Sequence, residues 1–449
     1  MEKPSLTKGS VWKGLLAFVL PILAGSLIQQ LYVTVDAIIV GQFTGQLGLA
    51  AIDSVHTLFK FPLNFMNGLA TGATIMISGY YGSGDLEETH CSIRTACTVA
   101  VLLGVLCSLG GVLLTPWMLR IMSVPQEVYS RAAAYTRIYF GGIWSMIQYN
   151  MAAGILRAHG DSRRPLLVLV CCAAVNIVGD LLLVGVFRLD VSGAALATVF
   201  SQMVSVVLTF AILRKEMGLQ KGERPLWLPH FCKEHMAKML RTGFPLALQS
   251  MLFPIANSIV QAGVNTMGTL QIAAWGICDK LDMLIWLISD SMGPALTTFT
   301  AQNLGAGNPH RIRSGVVLGA GMSVGAVAAI SAVLFFFAAP MTYWFVSHGD
   351  AVTLAPFVSR YSRIMAPFFL FYAIAEALSG ACCGTGDTVR PMVTTLVTIC
   401  LSRVLGILLV LPRVNTMECI VWIYVFSWIA AGVAFIGLWM GNLRKIKTV

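Results

Sequence analysis

Charge is what this sequence has least of. Only 11% of its 449 residues are Asp, Glu, Lys or Arg, where soluble domains carry about a quarter. A soluble globular fold is excluded. Long tracts of alternating apolar and polar residues are also missing, which removes a transmembrane barrel. The apolar stretches instead run about 20 residues or more, the length of a spanning helix. No GxxxxGK[ST] loop and no HExxH pair occurs, and the seven histidines are scattered. Neither P-loop ATP hydrolysis nor zinc hydrolysis has its motif here, so the chain does not read as an enzyme. The eleven cysteines are an odd number without metal-ligand spacing, mostly inside apolar runs. They read as free thiols serving as small apolar residues. No small-residue cleavage site follows Lys3, Lys8 and Lys13, and the apolar run there continues to about Val40. It reads as a first span rather than a signal peptide.

What remains is apolar: 57% of residues. The fold class expected is an all-α integral membrane protein with twelve transmembrane helices, near 13–40, 50–80, 93–119, 132–156, 165–187, 191–213, 240–266, 270–302, 314–346, 353–381, 389–411 and 416–441. The net charge of +10 sits in short loops and sets orientation rather than binding nucleic acid. Twenty Lys and Arg fall on one side of the spans and seven on the other, which puts both termini in the cytoplasm of a plasma-membrane protein. The longest polar stretch divides the chain into an N-terminal lobe (1–213), a cytoplasmic linker (214–239) and a C-terminal lobe (240–449). The linker contains WLPHFCKEHMAKML, which reads as an amphipathic surface helix.

The halves repeat. At an offset of 223, Gly45, Thr74 and Gly84 fall on Gly268, Thr297 and Gly307. At 226, Gly154, Gly160, Asp161, Arg164 and Pro165 fall on Gly380, Gly386, Asp387, Arg390 and Pro391. Each half holds six spans, so both insert the same way up. Two pseudo-symmetric six-helix lobes flanking a cavity are the architecture of alternating access.

Ionisable residues inside spans mark function by default. Asn176 and Asp180 are four apart on one face of span 5. Asp36 in span 1 and Asp180 lie about 7 Å and about 10 Å from the outer ends of their helices. Two partly desolvated carboxyls at similar depth suit proton exchange. With Asn176 and the hydroxyls of Tyr135 and Thr198, the same oxygens suit Na⁺. The coupling ion is left as H⁺ or Na⁺, and no cofactor is expected. Pro21 removes a backbone hydrogen bond from the helix that carries Asp36 and is a candidate hinge. In the second half, Asp282, Glu376 and Arg403 are candidates for a substrate cavity, with an Arg403–carboxylate pair expected. Asp290 has no assigned role.

Pro21 and Asp36, the GDSRRPL turn followed by Asn176 and Asp180, the span ends GYYGSGD and AQNLGAGN, and GTGDTVRPM together resemble the multidrug and toxic compound extrusion (MATE) transporters. The resemblance covers all twelve spans. It implies two six-helix lobes and proton- or sodium-driven export of organic, often cationic, compounds by a monomer in a lipid bilayer. Span 7 offers Asn257 and Gln261 but no acid, so coupling is expected in the N-terminal lobe. The alternative is a flippase for lipid-linked or polysaccharide precursors, which needs several cavity-facing cations for pyrophosphate.

Overall fold

A computed structural model describes residues 6–218 and 232–446. These are helical throughout, without a strand among them. The first helical run, Val11–Ser83, is two helices joined at Gly45, the one residue in it with non-helical dihedrals (φ 70°, ψ −168°). Its legs, 11–44 and 46–83, are labelled α1 and α2. There follow α3 (Leu86–Ile121), α4 (Gln126–Ala158), α5 (Arg163–Val186) and α6 (Asp190–Glu216). The second half holds α7 (Lys233–Asn265), α8 (Thr269–Gly305), α9 (Pro309–Thr342), α10 (His348–Gly384), α11 (Val389–Val414) and α12 (Met417–Ile446). Among the described residues, nine helical runs, Val11–Ser83 counted as one, are long and apolar enough to cross a membrane. Helices α4 and α8 have the length, at 33 and 37 residues, but are interrupted by polar groups.

Large apolar side chains are found both outside and in the two cores, and some helix faces are packed through small and hydroxyl residues. On α6, Ala197, Ser201, Ser205 and Thr209 are buried at four-residue spacing, while Phe200 and Val207 are 60% and 68% exposed. Close packing of small residues, rather than withdrawal of apolar surface from water, holds helices together in lipid. Their hydroxyls bond back to the helix itself, as Thr209 does to the Ser205 carbonyl at 2.7 Å.

The chain forms two compact units, residues 20–247 and residues 6–19 with 248–446. Their edges differ from the 1–213 and 240–449 division, for physical reasons. The start of α7 belongs to the first unit because Gly68 and Gly72 admit it at backbone distance: a Cβ on Gly68 would lie 2.3 Å from Ala247 Cα. The N-terminal segment belongs to the second unit because the Arg311 guanidinium donates to the carbonyls of Leu6, Lys8 and Gly9 at 2.7–3.0 Å. Residues 219–231 of the expected linker helix lie outside the described residues.

The repeat is visible in the backbone. Gly45 and Gly268 have φ of 70° and 92°, Gly84 and Gly307 of 77° and 68°, and Gly160 and Gly386 of 81° and 87°. Glycine is the residue that adopts this region without strain, so each pair is a conformational requirement met twice. The GD turns repeat as well. Asp161 Oδ1 accepts from the backbone N–H of Arg163 and Arg164 at 3.0 and 3.1 Å, and Asp387 Oδ1 from that of Arg390 at 3.3 Å. Each aspartate thus caps the first turn of the next helix, and each pairs with the arginine three residues on. Arg164 also pairs with Glu216 at the end of α6. These turns are structural anchors.

Gly380 sits where α10 crosses α8. A Cβ there would lie 2.1 Å from the Gly293 carbonyl oxygen, whereas a Cβ on Gly321 meets nothing within 4 Å. Gly380→Ala is expected to destabilise the detergent-solubilised protein by about 1–3 kcal/mol through overpacking, and Gly321→Ala to change it by no more than about 0.5 kcal/mol. Thermal or denaturant unfolding of both variants checks this; equal effects would rule out the crossing as a tight contact.

Candidate functional site

In the first unit, Asp36 is brought to it by α1, Asn176 and Asp180 by α5, Thr198 by α6 and Tyr135 by α4. Asn176 and Asp180 are wholly buried. With its amide nitrogen toward the acid, Asn176 donates to Asp180 Oδ2 at 2.8 Å, and its oxygen accepts from the Thr198 backbone N–H at 3.2 Å. The Asp36 and Asp180 carboxyl groups face one another within hydrogen-bonding reach. One oxygen of each, Oδ1, is buried without a protein partner. Two unit charges about 4 Å apart repel by about 4 kcal/mol at an effective dielectric of about 20. The arrangement therefore calls for a proton or a cation between the acids. Tyr135 is 6% exposed and an electrostatic neighbour of both acids. It makes no hydrogen bond to either, its ring packing instead against Phe59 and Tyr139.

The helix changes winding directly after Asp180: Leu181–Val186 is a π-helical segment. The second unit repeats this on α11, where π segments at Leu396–Leu401 and Gly406–Val410 flank Arg403. Such segments concentrate at functional positions in helices.

The first unit also holds a cavity of about 330 Å³. Its wall includes Pro21, Gln29, Tyr32, His56, Tyr139, Tyr149, Asn150, Arg157 and Gln202. Dihedrals stay helical at Pro21, the break in this run being at Gly45; the proline lines the cavity. Tyr32 extends the acid site, hydrogen-bonding to Thr198. Arg157, read from sequence as a loop charge, projects into the cavity and has no ion pair among the described residues. Nothing in its spacing from the apolar run distinguishes it from a topology-setting arginine. Tyr32 had a signal, since it precedes Asp36 by four residues on the same face.

The second unit holds a cavity of about 240 Å³ with a different lining. Asp279, Asp282 and Asp290 share its wall with Trp275, Trp286, Tyr372, Tyr424 and Trp428. Asp282 is 3% exposed and its Oδ1 has no partner; Asp290 Oδ1 accepts from the Tyr372 hydroxyl at 3.2 Å. Arg403 also lines the cavity, but the expected carboxylate pair is absent. Its guanidinium donates to Ser427 Oγ at 3.0 Å and Asn257 Oδ1 at 2.8 Å and lies 4.0 Å from the centre of the Tyr424 ring. Neutral oxygens and an aromatic face satisfy the cation, so the cavity's carboxylates are not held by Arg403. Glu376 is not in the wall; it packs against Gly293 on α8, beside Asp290.

Known proteins match this arrangement from end to end. The MatE family model matches twice, at residues 21–182 and 245–408, once per half. The probable multidrug resistance protein YpnP of Bacillus subtilis is 27% identical over 90% of this chain and 89% of its own length. An FAD transporter of Shewanella oneidensis is 24% identical over 68% of each chain. A solved structure described as the outward-facing conformation of a multidrug resistance MATE family transporter of the MOP superfamily superposes with a TM-score of 0.88 at 21% identity, covering 100% of this chain and 99% of the other. With the family model matched in both halves over most of the sequence, this chain belongs to the MatE family of multi-pass membrane multidrug efflux transporters.

Proposed function

We propose that the protein is a secondary antiporter that exports organic cations in exchange for H⁺ or Na⁺ by alternating access. The observation that carries this reading is the facing carboxyl pair Asp36–Asp180, held by Asn176 and beside Tyr32, Thr198 and Tyr135. One proton satisfies the pair by bridging it. A bound Na⁺ does the same with carboxylate, amide and hydroxyl oxygens, the ligands a hard cation prefers. Loading and unloading this site changes the charge held inside the first unit by one, which is the coupling an antiporter requires. The cargo is assigned to the second unit's cavity. Its aspartates supply charge and its tryptophans and tyrosines supply π-faces, the pair of features that recognises a flat organic cation. On this reading the chain acts as a monomer in the plasma membrane, with both termini cytoplasmic.

The flippase alternative requires several cations for a pyrophosphate. Arg157 in the first cavity and Arg403 in the second are the arginines in the two walls, and Arg403 is already engaged. That supports the antiporter.

In proteoliposomes, efflux of a fluorescent cation is expected to respond to an imposed pH gradient or an imposed Na⁺ gradient. Asp36→Asn and Asp180→Asn should each abolish the response while leaving the protein folded and monodisperse. Full gradient-driven efflux by both variants would overturn the coupling assignment.

Asp282→Asn and Trp275→Ala address the cargo site separately. Each is expected to raise the half-saturating concentration of a monocationic dye by roughly two- to thirtyfold, equivalent to about 0.5–2 kcal/mol. Binding measured by fluorescence polarisation without a gradient checks this. Unchanged affinity in both variants would move the cargo site elsewhere.

A further inference from the structure

Glu88 and Cys91 are three residues apart in the first turns of α3, and Cys232 and His235 are three apart where the linker enters α7. Glu88 and Cys91 share a face of α3, Cys232 immediately precedes α7 with His235 in its first turn, and the two groups meet within the first unit. Cys232 Sγ lies 2.8 Å from His235 Nδ1 and Cys91 Sγ lies 3.9 Å from the same nitrogen. The three donor atoms all fall within 4.8 Å of one another. On the far side of the ring, His235 Nε2 is 2.6 Å from Glu88 Oε2, an ion-pair contact rather than a linear hydrogen bond. The imidazole is 5% exposed, its ring against Tyr80.

We propose that Cys91, Cys232 and His235 bind one borderline-soft divalent cation, Zn²⁺ by ligand type, which ties the end of the linker to the start of α3. Two thiolates and an imidazole are a zinc donor set, with bond lengths of about 2.3 Å to sulfur and about 2.0 Å to nitrogen. A tetrahedral centre with those bonds separates its donors by about 3.5–3.8 Å, so side-chain shifts of about an ångström close this group on an ion. Glu88 stands on the Nε2 side of the ring, where a carboxylate commonly lies behind a ligating histidine, and Nδ1 faces the two sulfurs. Binding displaces the two thiol protons. A water completes the coordination.

Packing alone does not account for the cluster. Cys172 and Cys278 turn their thiols to backbone carbonyls of Ser201 and Val358, as buried thiols do. Cys91 and Cys232 converge on one imidazole from segments more than a hundred residues apart. The proposal stands whatever the cargo or coupling ion.

The test uses the full chain without a polyhistidine tag, purified under reducing conditions. Elemental analysis is expected to find about one zinc per chain after exposure to Zn²⁺ and dialysis. Co²⁺ substitution should give tetrahedral d–d bands and a thiolate charge-transfer band. Cys232→Ser and His235→Ala should lose both signals, Cys107→Ser should keep them, and Glu88→Gln should weaken affinity by about ten- to a hundredfold. Absence of bound metal and of the charge-transfer band in the wild-type protein would overturn the site, independently of how any variant folds. So would undiminished zinc in a Cys91→Ser/Cys232→Ser double variant, or a Cys91–Cys232 disulfide found in place of the metal.

Discussion

A carboxyl group inside an apolar helix bundle must be given company, and here the company is another carboxyl group. Asp36 and Asp180 meet at hydrogen-bonding reach, and the rest of the first unit is arranged to make that meeting tolerable. Asn176 spends its amide proton on Asp180 and its oxygen on the α6 backbone. Tyrosines from α1 and α4 close the surroundings. Oδ1 of each acid is left buried without a protein partner, and on the proposed reading one positive charge enters and leaves there.

Duplication then explains why one chain contains two kinds of cavity. The backbone solutions were kept in both halves: left-handed glycines at the same places, an aspartate capping the helix after each GD turn, π segments on α5 and α11. The side chains at the equivalent sites diverged. At the offset of 226, Asn176 and Asp180 fall on Ser402 and Gly406, and the buried charge on α11 is Arg403, satisfied by neutral oxygens and a tyrosine ring. Each cavity wall holds one arginine; the first has no carboxylate beside it, whereas the second has three aspartates and a set of aromatic rings. One scaffold used twice carries two electrostatic designs.

Much of this was legible in the residues. Apolar length gave the helices, and residue counts from span ends put Asp36 and Asp180 at matching depth, because a helix converts number into height. The i,i+4 spacing of Asn176 and Asp180 put them on one face, and the amide does reach the acid. Other features were illegible for definite reasons. Arg157 looks like any arginine at a span end, since depth near an interface is blurred by the length of the side chain. Arg403 was expected to seek an acid, but a buried guanidinium can be satisfied by a hydroxyl, an amide oxygen and an aromatic face. Glu376 lies in the right span yet turns toward α8, a matter of helix rotation rather than height. Cys91 and His235 are separated by 144 residues of chain, and only the fold reveals that they are neighbours.

The π segments have a consequence for how these helices are drawn. Each accommodates an extra residue in a turn, so the face presented beyond it is rotated by about 100° relative to a uniform α-helix. The buried positions step by four along both helices, Val168, Cys172, Asn176, Asp180 and Val184 on α5 and Thr395, Ile399, Arg403, Ile407 and Leu411 on α11. A uniform α-helix would turn such a stripe by about 40° at each step, and the wider π turns reduce that drift, so the bundle-facing side continues past each buried ionisable residue.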